Sequence, residues 1–234
     1  MTVLDFNFAE YAFDFDAHIS ASIPGYDRLR WWTAQVSRRF VKQDTRVIDI
    51  GCSTGSMLRE IRDINQASRP RVEYVGIDIS EAFRLQWKQF ERENLGFKVC
   101  DATRFVGFYN SSLVIASFAL QFIAEHRRVA LLKRIHDGLV GGGALLIAEK
   151  TLATSSALQD VIAFTYYDYK RLRFSADDIL DKERRLRGVM TPWTRGQLFQ
   201  ALSAAGFSRQ YIEPFWQEGP FISIVAIRKA FHGP

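Results

Sequence analysis

The sequence contains little cysteine and little histidine. Its 234 residues include only Cys52, Cys100 and four histidines, and no Cys-x-x-Cys or His-x-x-x-His spacing occurs. Because zinc sites are built from such pairs, a metal centre has little support. We interpret the two cysteines as reduced, mostly buried thiols, and we expect no metal.

Long apolar runs are also missing. No run approaches the ~20 residues that a membrane helix needs. The opening stretch, MTVLDFNFAEYAFDFDAH, is acidic and aromatic and lacks the basic and apolar regions of a signal peptide. We therefore expect a cytoplasmic protein with no membrane partner.

A continuous basic stripe is a third missing feature. The net charge is +5, but the basic residues are scattered in pairs such as Lys170–Arg171 and Arg184–Arg185, most of them with acidic neighbours. We interpret these pairs as solvated helix faces, so nucleic acid is not an expected partner. A small molecule is the expected partner.

Apolar segments alternate with amphipathic ones through the middle of the chain, which is typical of βαβ units and a parallel sheet. The predicted strands are residues 46–51, 72–78, 97–101, 112–118, 144–150, 207–215 and 221–229. The predicted helices between the first five strands are residues 55–64, 81–94 and 125–139, the last stopped by Gly141-Gly142-Gly143.

The link between the last two predicted strands is too short for a parallel crossover, so this pair is antiparallel. The pattern predicts an α/β protein with the class I methyltransferase (Rossmann-like) fold. Its sheet is mostly parallel and seven-stranded, with one antiparallel strand. We expect a single domain over residues 1–234, in which residues 1–40 and 151–200 form a helical cap over the carboxyl ends of the strands.

A glycine turn follows the first predicted strand, in IDIGCSTG (residues 48–55). Gly51 allows the backbone to approach a ligand closely, and Asp49 either holds the turn or binds a ligand amine through water. The motif is not G-x-G-x-x-G, which disfavours a dinucleotide.

Aspartates end the next two predicted strands. Asp78 can accept hydrogen bonds from ribose hydroxyls. Asp101 can accept from an adenine amine, while the N–H of Ala102 can reach a ring nitrogen. Each feature alone is weak, but the three together, each at the end of its strand, predict binding of S-adenosylmethionine (SAM).

The chain resembles the carboxy-SAM synthases, which supply the carboxymethyl donor for tRNA wobble-uridine modification. The segments that carry the resemblance are SIPGYD (22–27), DIGCSTG (49–55), GIDIS (76–80), FALQFI (118–123), GGALLIAEK (142–150), YDYKR (167–171) and LRGVM (186–190). Motifs and resemblance together predict a cofactor site of Tyr26, Asp49, Gly51, Cys52, Ser53, Asp78, Ile79, Asp101, Ala102, Ser117 and Phe118. The resemblance also implies a homodimer, in which the residue aligned with Glu183 reaches the site from the neighbouring subunit.

Two positions depart from the family pattern. Ser117 stands where the family has Asn, and Glu183 stands where the family has an Arg that pairs with the extra carboxylate of carboxy-SAM. Because a Glu repels a carboxylate, Glu183 argues against carboxy-SAM. We interpret the flanking Lys182, Arg184 and Arg185 as a solvated face.

The aromatic segment AFTYYDYKRLRF (163–174) belongs to the predicted cap. Aromatic rings over a sulfonium stabilise it through cation–π interactions. A row of aromatic residues along one helix face is also what a helix packed into the core shows. The candidate catalytic residues are Ser117, Tyr166, Tyr167 and Tyr169, as cage walls or as groups that orient the amine.

The chemistry that we favour is intramolecular. The SAM amine attacks its own γ-carbon, which gives azetidine-2-carboxylate and methylthioadenosine, a reaction of small-molecule (specialised) metabolism. The alternatives are methyl transfer to a small molecule, carboxy-SAM synthesis from prephenate, and a SAM-binding protein without catalysis.

Overall fold

The computed structural model describes residues 14–230. Seven strands form one sheet; they are β1 (Arg46–Ile50), β2 (Glu73–Asp78), β3 (Leu95–Val99), β4 (Ser111–Ser117), β5 (Leu139–Lys150), β6 (Ile212–Glu218) and β7 (Phe221–Ile227). The α-helices are α1 (Phe15–Ser22), α2 (Tyr26–Phe40), α3 (Ser56–Asn65), α4 (Arg84–Trp87), α5 (Glu125–Gly138), α6 (Ser156–Arg171), α7 (Ala176–Leu186) and α8 (Arg195–Ala204).

The strand order is β3-β2-β1-β4-β5-β7-β6. The first five strands pair in parallel, and β7 pairs antiparallel with both β5 and β6. A tight turn at Gly219, whose φ is +54°, joins β6 to β7. The predicted fold, a mostly parallel seven-stranded sheet with one antiparallel strand, is confirmed.

Apolar side chains cover both faces of the sheet. Every residue of β1 is buried, and so is all of β4 except its last residue, Ser117. Strands buried on both faces read as continuous apolar runs, which is why the sequence pattern located them well. The sheet thus provides a rigid base, and the ends of β1, β2 and β4 come together at one edge.

Several predicted boundaries are wrong. The helix predicted at residues 81–94 ends at Trp87, because Arg92 bridges to Leu95 in a tight reversal and β3 begins there. The three glycines at 141–143 do not stop α5, which ends at Gly138; they lie within β5. The sixth strand begins at Ile212 rather than at residue 207, because a 3-10 turn at residues 209–211 precedes it.

Side-chain hydrogen bonds join α1 to the segment after β1 and join α6 to α1. Asp16 of α1 accepts bonds from the hydroxyls of Thr54 (2.9 Å) and Ser56 (3.2 Å), beside the glycine turn. The Tyr166 hydroxyl of α6 donates to the carbonyl of Ser22 at 2.8 Å. Residues 1–13 of the predicted N-terminal cap lie outside the described residues.

No helix within residues 14–230 combines the length and the apolar character that crossing a bilayer requires.

Candidate active site

A cavity of about 370 Å³ lies at the carboxyl ends of the parallel strands. Its walls come from the strand ends, from α1 and the start of α2, and from α6 and α7. The predicted site residues that line it are Tyr26, Asp49, Gly51, Cys52, Ser53, Asp78, Ile79, Asp101, Ala102, Ser117, Phe118 and Tyr166. The structure therefore brings together the whole predicted cofactor set.

Gly51 makes the turn after β1. Its φ is +69°, and a Cβ on it would lie 3.0 Å from the Cβ of Ala119. The Gly51 N–H donates to the carbonyl of Ile77 at 2.8 Å, which joins this turn to β2. Both the backbone conformation and the close neighbour therefore require glycine here.

Asp78, at the end of β2, holds the same turn from its other side. Its carboxylate accepts from the N–H of Ser53 and the N–H of Ser80, both at 2.9 Å. Burial raises the pKa of Asp78, and these backbone hydrogen bonds oppose the rise. Each carboxylate oxygen keeps further acceptor capacity, so ribose hydroxyls can still bind there.

Asp101, after β3, is fixed by its own loop. Its Oδ1 accepts from the N–H and the hydroxyl of Thr103, both at 2.8 Å. Arg127 lies 3.6 Å and Arg104 3.8 Å from Oδ2. Burial works to raise the pKa of Asp101, but Thr103 and the two arginines outweigh it and hold the pKa below its usual value. Asp101 is therefore an ionised acceptor at neutral pH.

Asp49 differs from both of these aspartates. It is buried in β1, faces the cavity, and makes no side-chain hydrogen bond with any residue in the range 14–230. Burial, with the Asp78 carboxylate nearby, raises the pKa of Asp49 to about 8. Of its two predicted roles, holding the turn is wrong; a buried carboxyl without a partner is suited to a ligand.

Aromatic rings form the wall above the end of β4. Tyr26, Phe118, Tyr166 and Phe221 all line the cavity and pack together in one cluster. The ring centroids of Phe118 and Phe221 are 5.8 Å apart, and those of Tyr166 and Phe221 are 5.3 Å apart. Of the three tyrosines predicted as cage residues, Tyr166 belongs to this wall; the other rings come from other parts of the chain.

Backbone strain is concentrated at this site. Among residues 14–230, four non-glycine residues adopt a positive φ, and two of them, Ser53 (+49°) and Phe118 (+56°), line the cavity. Such conformations persist only where the surroundings enforce them, and they cluster at functional sites. Ser117, beside Phe118, lines the cavity and makes no side-chain hydrogen bond within the described chain.

Tyr167 and Tyr169 do not line the cavity. Both are half-buried on α6 and pack against the outside of the aromatic cluster. Tyr166 and Lys170, four residues apart, share the face of α6 that lines the cavity, and at about 100° per residue Tyr167 and Tyr169 lie on either side of that face. The structure thus offers no direct contact for Tyr167 or Tyr169 with a bound ligand.

Three lysines that the sequence interpretation missed line the same cavity: Lys150 at the end of β5, Lys170 on α6 and Lys182 on α7. Lys170 is 3% exposed, so its interpretation as part of a solvated pair is wrong. The same holds for Lys182, whose Nζ lies 2.7 Å from Nε2 of His18. The sequence contained features that could have placed two of these lysines at the site. Lys150 directly ends a strand, and Lys170 follows the inward Tyr166 by four residues, on the same helix face.

Glu183 also lines the cavity, on the wall of its own chain. Because the structure describes one chain, the expectation that this position also reaches the site of a neighbouring subunit stays a prediction. Its Oε1 lies 3.8 Å from Nζ of Lys170. Burial lowers the pKa of Lys182 to about 8, and the positive charge of Lys170 adds to this shift. Burial also lowers the pKa values of Lys150 and Lys170, while Glu183 acts in the opposite direction.

No group of three or more His, Cys, Asp or Glu side chains within residues 14–230 is arranged to hold a metal ion.

Comparison with solved structures places this architecture among methyltransferases. The chain resembles the methyltransferase in a Haloferax volcanii complex with the Trm112 activator, with a TM-score of 0.61, 17% identity and coverage of 95% of this chain and 97% of that chain. It also resembles the N-methyltransferase NodS of Bradyrhizobium japonicum WM9, solved with S-adenosyl-L-homocysteine, with a TM-score of 0.57, 10% identity and 88% coverage of each chain. A family model described as a methyltransferase domain matches residues 48–145.

The fold and the cavity define a SAM-dependent enzyme of the class I methyltransferase fold. Curated relatives with similar sequences identify the family within this class. The carboxy-SAM synthase of Shewanella denitrificans is 31% identical over 97% of this chain and 94% of its own length, and that of Shewanella oneidensis is 33% identical with the same coverage. The chain belongs to the carboxy-S-adenosyl-L-methionine synthase family.

Proposed function

We propose that the protein cyclises SAM to azetidine-2-carboxylate and releases methylthioadenosine, in small-molecule (specialised) metabolism. SAM is then the substrate. Its α-amine nitrogen forms a bond to the γ-carbon, the bond from the γ-carbon to sulfur breaks, and the electron pair of that bond stays on sulfur. One proton leaves the nitrogen, and no second reactant is needed.

The observation that carries this proposal is Asp49. A SAM α-amine must lose a proton before or during the attack. The pKa of Asp49, about 8, is close to the ~7.7–8.0 of an ordinary α-amine. A carboxyl with a matched pKa exchanges a proton with the amine readily near neutral pH. Because Asp49 makes no side-chain hydrogen bond with residues 14–230, its oxygens are available for that amine.

The size of the cavity agrees with a reaction that uses one molecule. Its volume of about 370 Å³ lies near the lower end of the ~300–1,000 Å³ typical of pockets for one drug-sized ligand. The strand-end groups suit the nucleoside, with Asp101 and Ala102 for adenine and Asp78 for ribose. The methionyl part would then lie against the aromatic wall, folded so that the amine and the γ-carbon come within ~3–3.5 Å.

The aromatic wall supports the sulfonium end. The Tyr166 ring already has two cationic neighbours, since Nζ of Lys150 and Nζ of Lys170 lie 5.0 and 5.2 Å from its centroid. We therefore assign the sulfonium to Tyr26, Phe118 and Phe221 rather than to Tyr166. Tyr166 would instead have a structural role, because its hydrogen bond to Ser22 holds α6 against α1.

Incubation of the purified protein with SAM alone tests the proposal, with mass spectrometry of the products. We expect methylthioadenosine and azetidine-2-carboxylate in equal amounts. An enzyme that leaves SAM unchanged until a second substrate is added would refute cyclisation. The matched control is the Asp49→Asn variant, which should bind S-adenosylhomocysteine but form little product.

Carboxy-SAM synthesis is a second candidate. The named relatives and the three lysines of the cavity favour it, since a carboxylic acid such as prephenate would find positive charge there. Against it, Glu183 occupies the position of the carboxylate-pairing Arg and lines the cavity. Product that forms only with prephenate, and that has the mass of SAM plus a carboxylate, would establish this reaction. S-adenosylhomocysteine formed with an added acceptor would establish methyl transfer instead.

The homodimer that the resemblance implies stays a prediction. The site-lining residues described above come from one chain. Light scattering of the purified protein tests the oligomeric state, and it does so independently of the reaction.

A further inference from the structure

Lys150 and Lys170 stand out because their charges are only partly compensated. Within residues 14–230, neither ammonium donates a hydrogen bond, and the nearest carboxylate that forms an ion pair with either is Glu183, 3.8 Å from Lys170. A 3.8 Å separation is too long for a hydrogen bond. Buried ammonium groups are normally both paired and hydrogen-bonded, because removal from water is otherwise very unfavourable.

The two ammonium groups face the same space. Both side chains line the cavity, and both lie about equally far from the Tyr166 ring, at 5.0 and 5.2 Å from its centroid. Lys170 is 3% exposed, so bulk water reaches it poorly. Among residues 14–230, the carboxylate that acts on both ammonium groups is Glu183, which forms its ion pair with Lys170. This wall therefore carries excess positive charge directed at a ligand.

We propose that Lys150 and Lys170 form a carboxylate-binding subsite in this cavity. A carboxylate between the two ammonium groups would accept a hydrogen bond from each and would neutralise the excess charge. Two sources have this chemistry: the α-carboxylate of the SAM methionyl group, or a separate carboxylic acid bound beside SAM. The inference depends on SAM binding in this cavity and not on which reaction follows.

The subsite has a chemical consequence if the carboxylate is that of SAM. The α-carboxylate can itself attack the γ-carbon, which would give homoserine lactone instead of the azetidine. Two ammonium groups that hold both oxygens withdraw them from that attack and leave the amine as the free nucleophile. Lys150 and Lys170 would thus be specificity-determining residues for the cyclisation.

Binding calorimetry tests the subsite without requiring turnover. S-adenosylhomocysteine carries the α-carboxylate, whereas methylthioadenosine lacks the whole amino acid end. We expect Lys170→Met and Lys150→Met each to weaken S-adenosylhomocysteine binding by about tenfold or more, and to change methylthioadenosine binding less than about twofold. Lys133→Met, an exposed lysine on α5, is the control and should change neither.

If the carboxylate comes from a separate acid, the pattern differs. The lysine variants would then leave both nucleosides unaffected but would weaken prephenate binding to the S-adenosylhomocysteine complex. The inference is overturned if neither nucleoside nor prephenate responds to Lys150→Met and Lys170→Met more than to Lys133→Met. Thermal unfolding checks that each variant is folded, and the two independent lysine variants guard against a local packing defect. Because cyclisation is measured by product and the subsite by affinity, failure of one is distinguishable from failure of the other.

Discussion

The Lys170 ammonium lies 3.8 Å from the Glu183 carboxylate on the cavity wall. Burial lowers the pKa values of Lys150 and Lys170, and the negative charge of Glu183 partly offsets this lowering. Glu183→Gln should therefore lower both lysine pKa values. As the pH rises, S-adenosylhomocysteine affinity should fall at a lower pH in this variant than in the natural protein.

Calorimetric titrations between pH 7 and pH 10 measure this shift. Asp181→Asn is the matched control on α7, because Asp181 pairs with Arg184 on the exposed side of the helix. Superimposable affinity profiles for Glu183→Gln and the natural protein would show that Glu183 does not control the charge of the lysines.

The second prediction concerns the proton acceptor. Asp49→Asn keeps the size of the side chain but removes its ability to take the amine proton. Removal of a general base usually reduces the rate by about 10²–10⁴-fold, so we expect kcat to fall at least about a hundredfold while S-adenosylhomocysteine affinity changes little. Asp101→Asn should instead raise KM, since we propose that Asp101 accepts a hydrogen bond from the adenine amine. Steady-state kinetics with SAM separates the two effects, and an Asp49→Asn enzyme with normal kcat would remove Asp49 from the mechanism.

The third prediction links the same carboxyl to stability. The folded-state pKa of Asp49 is about 8, against 3.8 for the unperturbed group. The folded protein therefore binds a proton that the unfolded chain releases, and stability from this group is lost as the pH rises from about 4 to about 8. An asparagine side chain does not titrate and has no such loss, so the Asp49→Asn variant should unfold at a higher temperature than the natural protein at pH 8.

The size of this difference should depend on pH. For a chain of this length, 1 kcal/mol corresponds to about 2–4 °C in Tm, and we expect a gain of at least that size at pH 8 that shrinks toward pH 5. Glu149, whose pKa burial also raises to about 8, titrates equally in both proteins and cancels in the comparison. Calorimetric melts of the two ligand-free proteins measure the difference in Tm. A Tm difference that stays constant from pH 5 to pH 8 would contradict the raised pKa of Asp49.

The fourth prediction concerns the glycine turn. Gly51→Ala places a Cβ 3.0 Å from the Cβ of Ala119 on a backbone with a φ of +69°. We expect a loss of about 1–2 kcal/mol in the free energy of unfolding and a loss of SAM binding, because the turn moves away from the ligand. Gly96→Ala, where a Cβ would meet no atom within 4 Å, is the control. Chemical denaturation and binding calorimetry of both variants decide the matter, and equal behaviour of the two would refute a special role for Gly51.

The strand-end residues of the site were predictable because they follow a local rule. Asp49, Asp78 and Asp101 belong to strands whose buried apolar pattern is visible in the sequence, and parallel strands bring their carboxyl ends to one edge. The aromatic and cationic wall was not predictable in the same way. Lys150, Lys170 and Lys182 come from a strand and two helices, and only their packing determines that they converge. On α6, the spacing identifies residues that share a face but not which face turns inward.

Isotopic labelling tests the central claim of cyclisation most directly. SAM carrying ¹⁵N at the α-amine and ¹³C at the γ-carbon is incubated with the enzyme alone, and the product is analysed by NMR. We predict azetidine-2-carboxylate with a one-bond coupling between ¹⁵N and ¹³C, formed together with methylthioadenosine. Homoserine lactone without that coupling, or unchanged SAM, would contradict the account.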